Sequence, residues 1–385
     1  MEQVNRRAMG VPKEKLVSEI KLANQAKREV LSERDKKYGS DRVLIGSYME
    51  NIALPGLFGF DMNDYYRDPA LAMELDLRHK LFWLDNSHDD GVAELSVGAG
   101  TMYFDTTLFG LRIHYQKDGV PIFQPHAMAQ GIDMSLLEPF DFYQTGEMPM
   151  VFRRYNEFKR ISEDEYGGEI RVELPPFHRG PLDIAVQIRG YEGFVEDCAE
   201  DPGAVHTLID YIVEERKRYN ILAAPYRPAV VGKPTSFVAD DWVNAPFLSP
   251  AMFDKFAVPA YRRIQENDGE VTGFHTCGVL VPFVKSLLAV FPYMKTLELS
   301  GWNDYSYLNQ IVNTDIAFAL NLVNSFVLCS TAEEHRRKLE EIKRIARYRK
   351  VSLNTQAIVK VTGTLDDSIL AMNRFHDLAR EALAS

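Results

Sequence analysis

The chain has 385 residues, enough for one large barrel or two ordinary domains. Its composition, 46% hydrophobic and 26% charged, is that of a water-soluble globular protein. A net charge of −11 argues against a general nucleic-acid binder, because that affinity rests on clustered Lys and Arg. The basic run Arg336-Arg337-Lys338 is followed by Glu340 and Glu341, the pattern of a solvated helix face. Three cysteines, Cys198, Cys277 and Cys329, with no signal-peptide pattern, make a disulfide framework improbable and a reducing cytoplasm the expected setting. No apolar stretch approaches the roughly 20 residues that span a bilayer, so no membrane association is expected.

In chain order, residues 1–38 are polar and charged, and Leu16, Ile20, Leu22 and Ala23 fall at helical spacing. This segment predicts an N-terminal helical arm, leaving 39–385 as a single further domain. Residues 42–48 read as a first strand, and 68–84 as a helix with Pro69 in its first turn. Between 98 and 126, short runs at 102–104, 111–115 and 120–123, with the turn signal Lys117-Asp118-Gly119, predict a β-hairpin insertion.

From there the pattern becomes regular. Strands are predicted at 182–188, 235–241, 271–276, 294–299, 316–322 and 350–354, with helices between them. One of these helices opens at Thr331-Ala332-Glu333-Glu334, a capping-box pattern. Alternating strands and helices imply parallel strands with helical crossovers. The number of units fits a single (β/α)8 TIM barrel better than an open sheet. No G-x-G-x-x-G or phosphate loop follows an early strand, which argues against a dinucleotide site.

In such a barrel the functional groups sit at the C-terminal strand ends. That rule selects Glu50 after the first strand, Asp240 and Asp241 after a middle one, His275 and Cys277 after the next, and Glu298 after the following one. The pair in His275-Thr276-Cys277-Gly278 is the strongest signal. Residues two apart on a strand share a face, so an imidazole and a thiol stand side by side, a ligand pair suited to zinc. A buried structural Cys and a core His are the competing explanation. Glu298 sits within the apolar Leu297-Glu298-Leu299 and needs a partner, either a metal or an Arg. Tyr48 and Trp242 are the aromatic candidates for substrate contact.

The order and spacing of Gly180-Pro181, Arg189-Gly190, Glu200-Asp201-Pro202, Asp240-Asp241, Leu248-Ser249-Pro250, Val258-Pro259-Ala260-Tyr261 and His275-Thr276-Cys277-Gly278 resemble the uroporphyrinogen decarboxylase superfamily. Within it, they resemble the cobalamin-dependent methyltransferase branch. The resemblance covers about residues 40–384 and implies a TIM barrel. It also implies a corrinoid-dependent methyltransferase that docks a separate corrinoid protein and moves a methyl group to or from a small molecule. In that branch the His and Cys of the motif ligate zinc, which carries over to His275 and Cys277.

A second Cys normally follows on the last strand, where this chain has Ser352-Leu353-Asn354-Thr355-Gln356-Ala357. Related cobalamin-independent methionine synthases place a Glu where Glu298 stands, so His275, Cys277 and Glu298 are the expected metal set. Asp240, Asp241 and Glu50 are the expected proton-transfer groups. The segment Ser47-Tyr48-Met49-Glu50-Asn51-Ile52 lacks the arginines that grip a polycarboxylate tetrapyrrole, which disfavours decarboxylation of that substrate. The alternatives are a decarboxylase or lyase of a small carboxylated or aromatic compound without corrinoid, or a metal-free binding protein.

Overall fold

A computed structural model describes residues 3–49, 51–137, 140–227, 235–358 and 363–384. Among these residues, eight parallel strands carry the fold: β1 (Leu44–Met49), β2 (Ser96–Gly98), β3 (Arg171–Glu173), β4 (Thr235–Ala239), β5 (Glu270–Thr276), β6 (Thr296–Ser300), β7 (Ala317–Leu322) and β8 (Val351–Ile358). Six of them hydrogen-bond in the order β1-β8-β7-β6-β5-β4, and β2 pairs separately with β3.

Isolated backbone hydrogen bonds bridge the two gaps. Asp90 N donates to Ile45 O at 2.7 Å, tying the segment ahead of β2 to β1. Gly180 N donates to Ala239 O at 2.6 Å and Ala239 N to His178 O at 2.9 Å, tying the segment after β3 to β4. The result is a closed (β/α)8 barrel with irregular walls on either side of β2 and β3. As in barrels generally, strands are buried on both faces, and in β7 the consecutive Phe318, Ala319, Leu320, Asn321 and Leu322 are all buried.

The helices begin where the sequence supplies caps. The helix α2 (Pro69–Asn86) starts at Asp68, whose carboxylate accepts from Ala70 N at 2.9 Å and Leu71 N at 3.2 Å, with Pro69 in the first turn. The capping box of Ala332–Ala346 is present: Glu334 Oε2 accepts from Thr331 N at 2.7 Å and Thr331 Oγ1 from Glu334 N at 3.3 Å. The N-terminal helix α1 (Leu16–Tyr38) buries Leu16, Val17 and Ile20. Its Asn24 exchanges two hydrogen bonds with the Ala93 backbone, at 2.7 and 2.8 Å, so it is stitched to the segment leading into β2.

Two local expectations change. Residues 182–188 are not a strand but most of a helix, α3 (Pro181–Arg189), with Pro181 in its first turn and residues 181–186 and Ile188 buried, so that it is covered nearly all round. The insertion holds one short antiparallel hairpin, Ile113–His114 with Ile122–Phe123, and residues 104–107 are helical instead of extended. Glu50 follows β1 directly but lies outside the described residues. Among the described residues no helix is long and apolar enough to cross a membrane.

Candidate metal centre

Strands β4 and β5 end side by side, with Ala239 in register with His275. The chain leaves β4 through Asp240 and Asp241, and these adjacent acids part ways. Asp240 is fully buried. Its carboxylate accepts from Asp183 N at 2.8 Å, from Leu182 N at 3.3 Å and from the Tyr261 hydroxyl at 2.9 Å. It therefore receives two of the unpaired N–H groups at the start of α3. Burial, with Asp183 nearby, pushes the Asp240 pKa well above the usual carboxylate range. Asp240 does not reach the cavity and serves the fold. Asp241 instead turns to the mouth, where it lines the cavity with Cys277.

Asp241, His275 and Cys277 each offer a ligand atom, and these atoms lie within 4.8 Å of one another. His275 Nε2 is 3.4 Å from Cys277 Sγ and 3.4 Å from Asp241 Oδ1. A tetrahedral zinc with bonds of usual length would set its N–S and N–O ligand edges at about 3.3–3.6 Å. Among the described residues, Asp241 Oδ1 and His275 Nδ1 are buried without a well-aligned hydrogen-bond partner. An acceptor left unsatisfied beside an imidazole and a thiol is the donor set of a borderline-soft cation. These three residues therefore fit zinc.

Glu298, in register with His275, takes the other edge of the ring. Its Oε2 is 3.0 Å from His275 Nδ1, without the alignment of a hydrogen bond. It lies outside the three-residue ligand group and occupies the position of the carboxylate that orients a metal-bound histidine.

Charge is dense here. Burial alone would lower the His275 pKa, but the Asp241, Cys277 and Glu298 side chains outweigh it and push it up to about 12. Burial would likewise raise Asp241, but the imidazole beside it holds its pKa down at about 2. Burial pushes the Cys277 thiol up.

The loops after β4, β5 and β6 lock together around Gly278. Asn244 Cβ, Cγ and Oδ1 stand 2.3–2.4 Å from where a Cβ on Gly278 would lie, so only glycine fits without a shift. Gly278 O accepts from Ser300 Oγ at 2.8 Å and from Asn303 Nδ2 at 3.0 Å. Ala245 N also donates to Val279 O at 3.1 Å. These bonds keep Asp241 beside Cys277.

The adjoining cavity, about 730 Å³, is lined by Trp242, Phe247, Trp302 and Tyr103 and by a polar group that the sequence did not expose. Arg179 Nη1 donates to Asp183 Oδ2 at 2.5 Å, and its Nε lies 3.3 Å from Asp105 Oδ1. Burial pushes the Asp183 pKa up to about 6 against the pull of Arg179. The i, i+4 spacing of Arg179 and Asp183 is the available signal, masked by the strand-like alternation of residues 182–188. Trp242 lines this cavity, whereas Tyr48 lines a different one, near β1 and β2. Trp242 stacks on Tyr191 at 5.2 Å.

The chain belongs to the uroporphyrinogen decarboxylase (URO-D) family, whose model matches residues 44–350. Among curated proteins it is similar to a methylated-thiol–coenzyme M methyltransferase of Methanosarcina mazei, with 24% identity over 196 residues. That match covers 49% of this chain and 50% of the relative, so the chain spans about half the length of the curated protein it matches. Among solved structures it is similar to a methyltransferase from Methanosarcina mazei, with a TM-score of 0.59 and 16% identity over 88% of this chain and 94% of that one. At that identity the likeness is one of fold.

Proposed function

We propose that this protein is a methyltransferase of a corrinoid-dependent system, moving a methyl group between a small molecule and a separate corrinoid protein with the help of zinc. The observation that carries the proposal is the cluster of His275 Nε2, Cys277 Sγ and Asp241 Oδ1 beside a cavity at the barrel mouth. The family and the methyltransferase relative support the same chemistry. Zinc bound there would supply a Lewis acid that stabilises a substrate thiolate or polarises a methyl donor.

The chain's own groups divide the remaining work. His275 presents Nε2, while Glu298 stands at Nδ1 and favours the tautomer with its proton on that nitrogen. Asp241 takes the ligand place that Glu298 was expected to fill, and Glu298 becomes its orienting neighbour. Trp242, Phe247 and Trp302 provide an apolar wall that limits water around the transferred methyl group. When a methyl group leaves a heteroatom, that atom keeps the bonding pair and takes up a proton. Asp183, beside the cavity, has its pKa raised by burial to about 6, so a minority of it carries a proton at neutral pH, and that fraction can protonate the leaving atom. Asp240 is set aside as a proton-transfer group because its oxygens face backbone amides and Tyr261.

The test is metal analysis with methyl-transfer assays of the wild type, His275→Ala and Cys277→Ser. Stoichiometric zinc in the wild type, lost in both variants, is expected, together with turnover only when a corrinoid protein is supplied. Zinc that survives both substitutions would sink the site. Turnover of a carboxylated compound without corrinoid would replace the proposal with a carboxy-lyase.

A further inference from the structure

The last two barrel strands lend no ligand to the cluster, yet they reach it. Asn321 of β7 is 3% exposed, and its Nδ2 donates to Glu298 Oε2 at 3.3 Å. Asn354 of β8 donates through Nδ2 to Asn321 Oδ1 at 3.0 Å. The strand register makes this row continuous. His275 is in register with Glu298, Asn321 with Asn354, and Asn354 with Gly46. Asn321 is in register with Ser300, two residues beyond Glu298 and so on the same face of β6. The row crosses β5, β6, β7, β8 and β1.

Its polarity admits one arrangement. An ionised carboxylate only accepts, so Asn321 must turn its NH2 toward Glu298 and its carbonyl toward Asn354. Asn354 must then present its own NH2 to Asn321, which sends its Oδ1 toward β1. There a Cβ on residue 46 would stand 2.5 Å from that oxygen, and glycine leaves the room.

We infer that Asn321 and Asn354 are positioning residues that fix Glu298 against His275 Nδ1, so that Nε2 stays directed at the metal. The inference rests on the zinc site proposed above. A metal-ligating histidine depends on the partner of its second nitrogen for tautomer and orientation, and loss of such a partner typically weakens the metal by 10–100-fold. Here the partner is itself held by two amides in series. Asn354 falls in the segment where the methyltransferase branch is expected to place a second thiolate, so this strand takes part in the site by orientation instead of ligation.

The competing explanation is a polar pair that merely fills the barrel interior. The test uses the full chain and the variants Asn321→Leu, Asn354→Ser and Gly46→Ala. The first two remove the amide links, whereas the third leaves every polar group in place and displaces Asn354. Zinc dissociation constants by chelator competition are the first readout. The visible absorption of the Co(II)-substituted protein is the second, because it reports ligand geometry that a simple packing role would not move. Zinc affinity is expected to fall roughly 10–100-fold in Asn321→Leu and less in the other two, with changed Co(II) bands in all three. The half-buried Asn354→Ser keeps the test available if Asn321→Leu does not fold. A wild type that holds stoichiometric zinc, with variants matching it in affinity and spectrum, overturns this inference alone. A wild type without a zinc site overturns it together with the metal reading.

Discussion

Asp241 and Glu298 flank one imidazole on opposite edges, Oδ1 of the first 3.4 Å from His275 Nε2 and Oε2 of the second 3.0 Å from Nδ1. Two carboxylates that look alike in sequence are thereby given different roles. Asp241→Ala removes a proposed ligand and is expected to cost more zinc affinity than Glu298→Gln, which leaves the ligand set whole and should cost about 10–100-fold. Chelator competition on both variants checks this. Equal losses, or a larger loss for Glu298→Gln, would reverse the assignment.

The three thiols should separate by reactivity. Cys277 and Cys329 are exposed, while Cys198 is buried and burial pushes its pKa up to about 12. Alkylation followed by peptide mapping is expected to label Cys329 readily, Cys277 more slowly because its thiol pKa is raised, and buried Cys198 slowest. Added zinc should protect Cys277 and leave Cys329 unchanged. Unaltered labelling of Cys277 at saturating zinc would remove it from the ligand set.

Gly278→Ala forces a Cβ against Asn244, whose side-chain atoms already stand 2.3–2.4 Å from that position. The variant is expected to lose about 1–3 kcal/mol of stability, as overpacked sites do. It should also bind zinc more weakly, because the shift separates Asp241 from Cys277. Urea unfolding and zinc titration test the two effects independently. A variant with unchanged stability would show that the loops give way freely.

Asp183 makes a pH prediction. Its folded-state pKa of about 6 lies above the ordinary value of 3.8, so between these limits the folded chain holds a proton that the unfolded chain has released. Its contribution is therefore favourable below about pH 4 and is lost as pH rises through about 6, an effect of about 3 kcal/mol. Asp183→Asn does not titrate. Its stability relative to wild type should improve by up to that amount between pH 4 and pH 7, measured by urea unfolding across the range. A pH-independent difference between the two proteins would refute the raised pKa.

The legible parts of the sequence were those where one local rule decided the outcome. The alternation of strand side chains brings His275, near the end of β5, and Cys277, one residue past it, within 3.4 Å, and the capped helices after Asp68 and Thr331 begin where their side chains can accept amides. Asp240 and Asp241 were not separable in this way. Which of them faces the mouth depends on α3, whose first amides bind Asp240. The sequence of that helix mimics a strand, because Leu182, Ile184, Val186 and Ile188 satisfy an alternating pattern. Strands β2 and β3, of three residues each, are too short for a periodic signal. The Asn321–Asn354 link joins residues 33 positions apart, and only the register of β7 with β8 brings them together.

A ligand group with a single sulfur also sets how the protein meets oxidants. A centre built on two thiolates can expel its metal by closing a disulfide between them. The cluster formed by Asp241, His275 and Cys277 contains one thiol and two ligands that do not form such bonds. Oxidation at Cys277 would lead first to a sulfenic acid, a species that a small thiol can return to the reduced state. In the proposed zinc site, a carboxylate in place of a second thiolate would thus close the route by which redox stress converts such a site into an internal crosslink.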